Sequence, residues 1–204
     1  MSPLRLFSVL VLLPSIALCQ GIHTSPKRGL VYVPSAKHPQ DDSFWDSSTS
    51  DLTWCYNYEQ TPSPAFSNST KLEFVPMLWG APSSGNKYGS FLTDVQAQVK
   101  GGANVSFVLG FNEPDGTKAT GGSAIDATTA AQIWHWQIEP LAKQGVKLGA
   151  PACTGAESGT QWLKGFIAAC SNCTIDFVPV HWYGNFQGLA SHIGEIVGTF
   201  NKTV

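Results

Sequence analysis

Asn112, Glu113 and Asp115 stand together in F-V-L-G-F-N-E-P-D, residues 107–115, directly after an apolar run of Val105, Phe107, Val108, Leu109 and Phe111. A carboxyl group beside a carboxamide at the end of a buried strand is equipped for proton transfer to or from a bound substrate. Gly110 lets the backbone pass close to a neighbour, and Pro114 stops the strand after Glu113. α/β proteins keep their working groups at such C-terminal strand ends. A second polar group, His181-Trp182-Tyr183, closes another apolar run. Strand alternation sends His181 and Tyr183 to one side and Trp182 to the other.

Positioning these groups requires a series of strands and helices, and the chain is patterned for one. Apolar runs at 29–34, 52–58, 74–79, 105–111, 147–153 and 175–183 read as strands, the first of them buried on both faces. Between them lie amphipathic helices. Residues 89–101 carry Ser90 as N-cap with Phe91, Val95 and Val99 on one face, and 125–145 carry Ala130, Trp134, Ile138 and Leu141. Trp162, Phe166 and Cys170 mark a third helix, and Leu189, Ile193, Val197 and Phe200 a last one. Strand and helix in alternation imply a parallel sheet with helices outside, in a barrel or a doubly wound sheet. The chain has no Gly-x-Gly-x-x-Gly after the first strand and no P-loop, which removes the nucleotide-binding reason for a doubly wound sheet.

The 204 residues are 43% hydrophobic and 13% charged, as one compact domain would be, and the net charge of −2 gives no electrostatic footprint for nucleic acid or an anionic membrane. A neutral ligand fits better. Seven Trp, five Tyr and eleven Phe supply flat faces on which sugar rings pack, although most such rings fill cores. No metal-ligand spacing is present among the histidines, and no metal or cofactor is expected.

Together G-F-N-E-P-D at 110–115 and V-H-W-Y-G at 180–184 resemble the secreted fungal glycoside hydrolases of family 128, the Asl1-like catalytic domain, from about Gly29 onward. The resemblance implies a (β/α)8 TIM barrel and an endo-acting β-1,3-glucanase with two catalytic glutamates. It makes Glu113 the general acid/base and Asn112 a hydrogen-bond partner of a sugar hydroxyl. A polar residue here, His181 or Tyr183, would orient the nucleophile, and Trp182 or Tyr183 would form a sugar subsite, with Trp54, Asn57 and Trp79 as further substrate-binding candidates. Retaining hydrolysis needs two carboxyl groups about 5 Å apart. In the family the second follows on strand 7 in a T-E-F-like motif, so residues 20–204 are expected to hold about six βα units of an incomplete catalytic domain, lacking strands 7 and 8 and the nucleophile. Asp126, Glu139 and Glu195 read as solvated helix charges, and Glu157 as a loop residue with reach toward a site. The expected partner is a β-glucan polysaccharide, bound by a monomer without nucleic acid or membrane. The alternative is a cell-wall protein that binds carbohydrate without cleaving it.

Residues 1–19 carry Arg5, an apolar stretch from Leu6 to Leu13 and a small-residue end, as a secretory signal peptide does. Sequons at Asn68, Asn104, Asn172 and Asn201 agree with an extracellular or cell-wall destination. In that setting Cys170-x-x-Cys173 reads as a local disulfide, because neither a second C-x-x-C nor a His pair accompanies it. Cys55 and Cys153 are left open, paired or free.

Overall fold

A computed structural model describes residues 27–38, 40–82 and 89–204; the expected signal peptide at 1–19 lies outside them. The elements run β1 (Gly29–Val31), α1 (Asp42–Trp45), β2 (Trp54–Tyr56), β3 (Glu73–Phe74), α2 (Phe91–Lys100), β4 (Phe107–Leu109), α3 (Ala127–Gln137), β5 (Lys147–Gly149), α4 (Glu157–Ala169) and α5 (Phe186–Phe200). Every strand pair is parallel. β1, β2 and β3 are neighbours in that order, with Leu30 opposite Cys55 and Cys55 opposite Phe74. β4 lies beside β5, with Val108 opposite Leu148. Single parallel bridges extend the series: Met77 to Leu109, Gly149 to Phe177, and Phe177 to Thr203.

The chain therefore lays its extended segments side by side in sequence order, and Thr203 takes a seventh place. A doubly wound sheet reverses direction at a switch point, whereas a barrel wall adds each segment next to the last. Among the described residues the order shows no switch point, which the pattern alone left open.

The strands are shorter than the apolar runs, for a shared reason. Pro34, Pro76, Pro151 and Pro179 fall inside the runs and offer no N–H to the ladder. Pairing continues past them as isolated bonds: Leu109 N–H donates to Pro76 O at 2.9 Å, and Ala150 N–H to Phe177 O at 2.9 Å. Among the described residues the 175–183 segment makes only the bridges at Phe177. β1 is not buried on both faces, as its sequence suggested. It pairs with β2 alone among the described residues, so Val31 and Val33 remain 47% and 64% exposed.

One core cluster holds Phe91 and Val95 of α2, Trp134 of α3, Val108 of β4, Leu148 of β5 and Leu163 and Phe166 of α4. Trp134 meets Phe166 edge-on at 5.5 Å, and Trp162 stacks on Phe166 at 5.6 Å. The long helix expected over 125–145 is broken: α3 ends at Gln137 and a 3-10 segment occupies Glu139–Gln144. Pro140 has no N–H and its ring would strike the carbonyl four residues back. The apolar face survives the break, and Ala130, Trp134, Ile138 and Leu141 are all buried. Ser90 stands at the N-cap of α2 without capping it; its hydroxyl accepts from Gln60 Nε2 at 2.7 Å. On α5 the buried positions are His192 and Ile196, while Val197 is exposed.

The Cys170–Cys173 disulfide is formed, with Cα atoms 5.2 Å apart. Cys55 and Cys153 are free and buried. Burial, and then Asp46, push the Cys55 thiol up to about 11; burial, then Asp115 and Glu113, push Cys153 up further. Both are neutral thiols at pH 8 and poor nucleophiles. In the native protein an aromatic disulfide reagent is expected to label neither within minutes, and both once denaturant is added; rapid labelling in the native state contradicts the packing.

Candidate active site

Gly110 and Gly149 make the site possible. A Cβ on Gly110 would lie 3.0 Å from Gly149 O and 3.1 Å from the Trp134 ring; one on Gly149 would lie 2.6 Å from the Phe177 ring. Beyond this close passage the chain stays pinned on both sides. Asn112 N–H donates to Trp79 O at 2.9 Å and Glu113 N–H to Ala152 O at 2.7 Å. Glu113 thus sits in the wall at the C-terminal end of β4, between the continuations of β3 and β5.

Glu113 then turns the chain with φ at +40°, a region that non-glycine residues rarely occupy. Its carbonyl accepts from Gly116 N–H at 2.9 Å, closing a turn with Pro114 in the second position. The returning loop packs against that carbonyl through Gly122, where a Cβ would come within 2.6 Å of it. Asn112, buried, donates from Nδ2 to Gly121 O at 3.1 Å, and its carbonyl accepts from Ser123 N–H. Asp115 accepts from Thr154 N–H at 2.9 Å and from the Thr154 hydroxyl. Such over-determination holds a strained backbone in place and is common where a side chain must be aimed.

The side chain so aimed meets His181. Nδ1 of His181 lies 2.8 Å from Glu113 Oε1, with the two side chains 20% and 14% exposed. This hydrogen bond joins groups 68 residues apart in sequence. An imidazole N–H on one carboxylate oxygen leaves the other oxygen to exchange a proton with a ligand.

The remaining expected residues divide. Trp79, at the end of the β3 segment, is partly exposed beside Asn112. Tyr183 is 91% exposed, and it is close enough to Tyr56 to raise that hydroxyl, after burial and Tyr58. Trp182 points away from His181, as alternation required, and packs into α5. Its ring stacks on His192 at 5.6 Å, its Nε1 donates to Asn185 O at 3.0 Å, and Gly188 leaves room for it, a Cβ there falling 2.2 Å from the ring. Packing against α5 is a different role from the subsite the sequence suggested. Trp182→Ala is expected to destabilise the fold by about 2 kcal/mol, below the range for a fully buried Trp because the ring is only partly covered. Chemical denaturation measures this, and an unchanged midpoint with weaker oligosaccharide binding restores the subsite.

Trp54 begins β2, level with Gly29 and Glu73, at the opposite end of the strands from Glu113. It lines a cavity of about 540 Å³ with Val75, Phe107, Leu109 and Phe177. Asn57 is engaged in a local turn, Nδ2 donating to Thr61 O at 3.0 Å and Oδ1 accepting from Glu59 N–H at 3.1 Å. Three rings escaped sequence reasoning. Tyr56 and Tyr58 meet edge-on at 5.2 Å, and Phe186, the first residue of α5, is 75% exposed just after Tyr183. The period-2 spacing of Trp54, Tyr56 and Tyr58 was the available signal.

Most of the other acids are engaged in structure. Asp126 caps α3, accepting from Thr129 N–H, and the Thr129 hydroxyl, then that N–H, hold its carboxyl below the usual range. Glu139 is a strut rather than a solvated charge: it accepts from Trp134 Nε1, Thr174 N–H and the Thr174 hydroxyl. Asp176 pairs with Lys147 at 2.8 Å, and Glu195 accepts from the Thr160 hydroxyl at 3.0 Å. Glu157 is exposed at the start of α4. The asparagines of all four sequons are exposed.

Comparison with known proteins agrees with this geometry. The family model described as glycosyl hydrolase catalytic core matches residues 29–204. Alkali-sensitive linkage protein 1 of Schizosaccharomyces pombe is 35% identical over 175 residues, which cover 84% of this chain and 29% of that protein's length. A curdlan-specific exo-β-1,3-glucanase of family 128, subgroup III, from Blastomyces gilchristii, solved with glucose, superposes with a TM-score of 0.68 at 27% identity, over 85% of this chain and 71% of that one. A subgroup VII oligosaccharide-binding protein from Trichoderma gamsii gives 0.62 at 28% identity, over 88% and 65%. With its N-E-P turn held in a sequential parallel wall, the chain belongs to the glycosyl hydrolase catalytic core family, within glycoside hydrolase family 128.

Proposed function

We propose that this protein acts outside the cell on β-1,3-glucan, with Glu113 as the general acid/base of a retaining hydrolysis on a (β/α)8 barrel. The observation that carries the reading is the Glu113–His181 pair, aimed from two wall segments at the C-terminal end of the strands. In the first half-reaction Glu113 protonates the departing glycosidic oxygen; in the second it removes a proton from water. His181 holds the carboxylate through both halves. Asn112, with its Nδ2 anchored to Gly121 O, and Trp79 border the same place. Tyr183 and Phe186 present faces for sugar rings on the rim. Similar structures include endo- as well as exo-β-1,3-glucanases, so the likeness supports either mode.

A second reading has its own support. The retaining step needs a partner carboxylate about 5 Å from Glu113, and both oxygens of Asp115 already accept from Thr154. The likeness to an oligosaccharide-binding member points the same way. Residues 1–204 are therefore expected to bind laminari-oligosaccharides without releasing reducing sugar. Titration calorimetry beside a reducing-end assay on laminarin, cellulose and chitin decides between the readings. Reducing-end release from laminarin alone supports the hydrolase; binding without release supports the binding protein only if a form of the protein that supplies a second carboxylate near Glu113 also releases none; and neither binding nor release removes both.

A further inference from the structure

The Cys170–Cys173 disulfide has a neighbour that its sequence context concealed. His135, 38 residues from Cys173, lies on the exposed side of α3 with Nε2 3.7 Å and Nδ1 4.0 Å from Cys173 Sγ. One ligand atom from each of His135, Cys170 and Cys173 fits within 4.8 Å of the others. The fold thus supplies the histidine whose absence from the local sequence argued against a metal.

The framework around the three does not depend on the sulfur–sulfur bond. Glu139 accepts from Thr174 N–H at 2.8 Å and the Thr174 hydroxyl at 2.7 Å, and from Trp134 Nε1 at 3.0 Å. Thr174 follows Cys173 and Trp134 precedes His135, so one carboxylate ties the two ligand-bearing segments together. Cys170 is fixed in turn by its N–H bond to Phe166 O, and Phe166 packs on Trp134. Two sulfurs three residues apart and an imidazole form a donor set that selects zinc-like ions over hard cations, with a fourth position open to water.

We propose that reduction of this disulfide opens a Zn²⁺ site formed by Cys170, Cys173 and His135. Two molecules of a monothiol break the S–S bond; each cysteine sulfur gains a proton, and the two reductant sulfurs join in a new disulfide. Zn²⁺ then displaces the two thiol protons and takes the free imidazole nitrogen as third ligand. In the oxidised protein neither sulfur is a thiolate and the site is closed.

Co²⁺ is the probe, added to the intact chain after reduction with dithiothreitol and anaerobic desalting. One equivalent is expected to bind with a sulfur-to-cobalt charge-transfer band that the oxidised protein lacks and that Zn²⁺ abolishes. His135→Ala is expected to weaken binding on the order of tenfold or more. Equal affinity in His135→Ala, or the same band in Cys170→Ser/Cys173→Ser, which keeps Cys55 and Cys153, overturns the proposal. Should the reduced chain unfold, Zn²⁺ is expected to restore a cooperative thermal transition in the wild type and not in His135→Ala. Recovery in both, or in neither, counts against the site.

Discussion

Glu113→Gln lowers laminarin hydrolysis by about 10²–10⁴-fold, measured on a form of the protein that has the activity, while oligosaccharide binding changes little. Gln has the shape of Glu, and its Oε1 still accepts the bond that His181 Nδ1–H makes at 2.8 Å. The N-E-P turn is therefore expected to keep its position, and the denaturation midpoint to move little. What is lost is the proton. A leaving group that departs without protonation, such as a dinitrophenolate, should form the glycosyl intermediate at a rate close to wild type. Azide should then speed turnover of that intermediate, since it attacks without a general base. Wild-type hydrolysis of laminarin by the variant would remove Glu113 from the chemistry.

How much of this was legible before the fold was known depends on how far apart in sequence each contact lies. The N-E-P turn reads locally, because Gly110, Pro114 and Gly116 bracket it within seven residues. The parallel, helix-covered sheet reads from the alternation of apolar runs and amphipathic helices, but the strand order does not, because a barrel and a doubly wound sheet share that alternation. Nor do the ends of the elements, since a proline inside an apolar run truncates the ladder without altering the hydrophobic pattern, as Pro76 and Pro151 do. Pro140 acts likewise on the helix over 125–145, whose buried face continues through the break. Side-chain partnerships across elements were illegible. Glu139 sits on a helix face as a solvated acid would, and only the approach of Thr174, 35 residues on, makes it a strut. Trp182 reads as a rim aromatic until Gly188 and His192 come under it.

The contact that most needs a direct test is the one between the two motifs. His181→Phe keeps a ring of similar breadth at the end of the 175–183 segment and removes the hydrogen bond to Glu113 Oε1. The carboxyl group is then free to rotate about its side chain, and displacement of a reacting group by about 1 Å is worth roughly 10²-fold in rate. We therefore expect kcat to fall by about that factor, with KM and oligosaccharide binding nearly unchanged, since His181 acts through Glu113. Some stability is lost as well. A charge-assisted hydrogen bond between two largely buried groups contributes about 1.5–3 kcal/mol. His181→Gln, which can still donate, should recover part of both. The combination with Glu113→Gln separates positioning from a merely structural role: if His181 works by holding the acid, the double variant is no slower than Glu113→Gln alone. Multiplicative loss in the double variant, or a His181→Phe enzyme with wild-type kcat, would show that the pair seen at the strand ends does not serve the reaction.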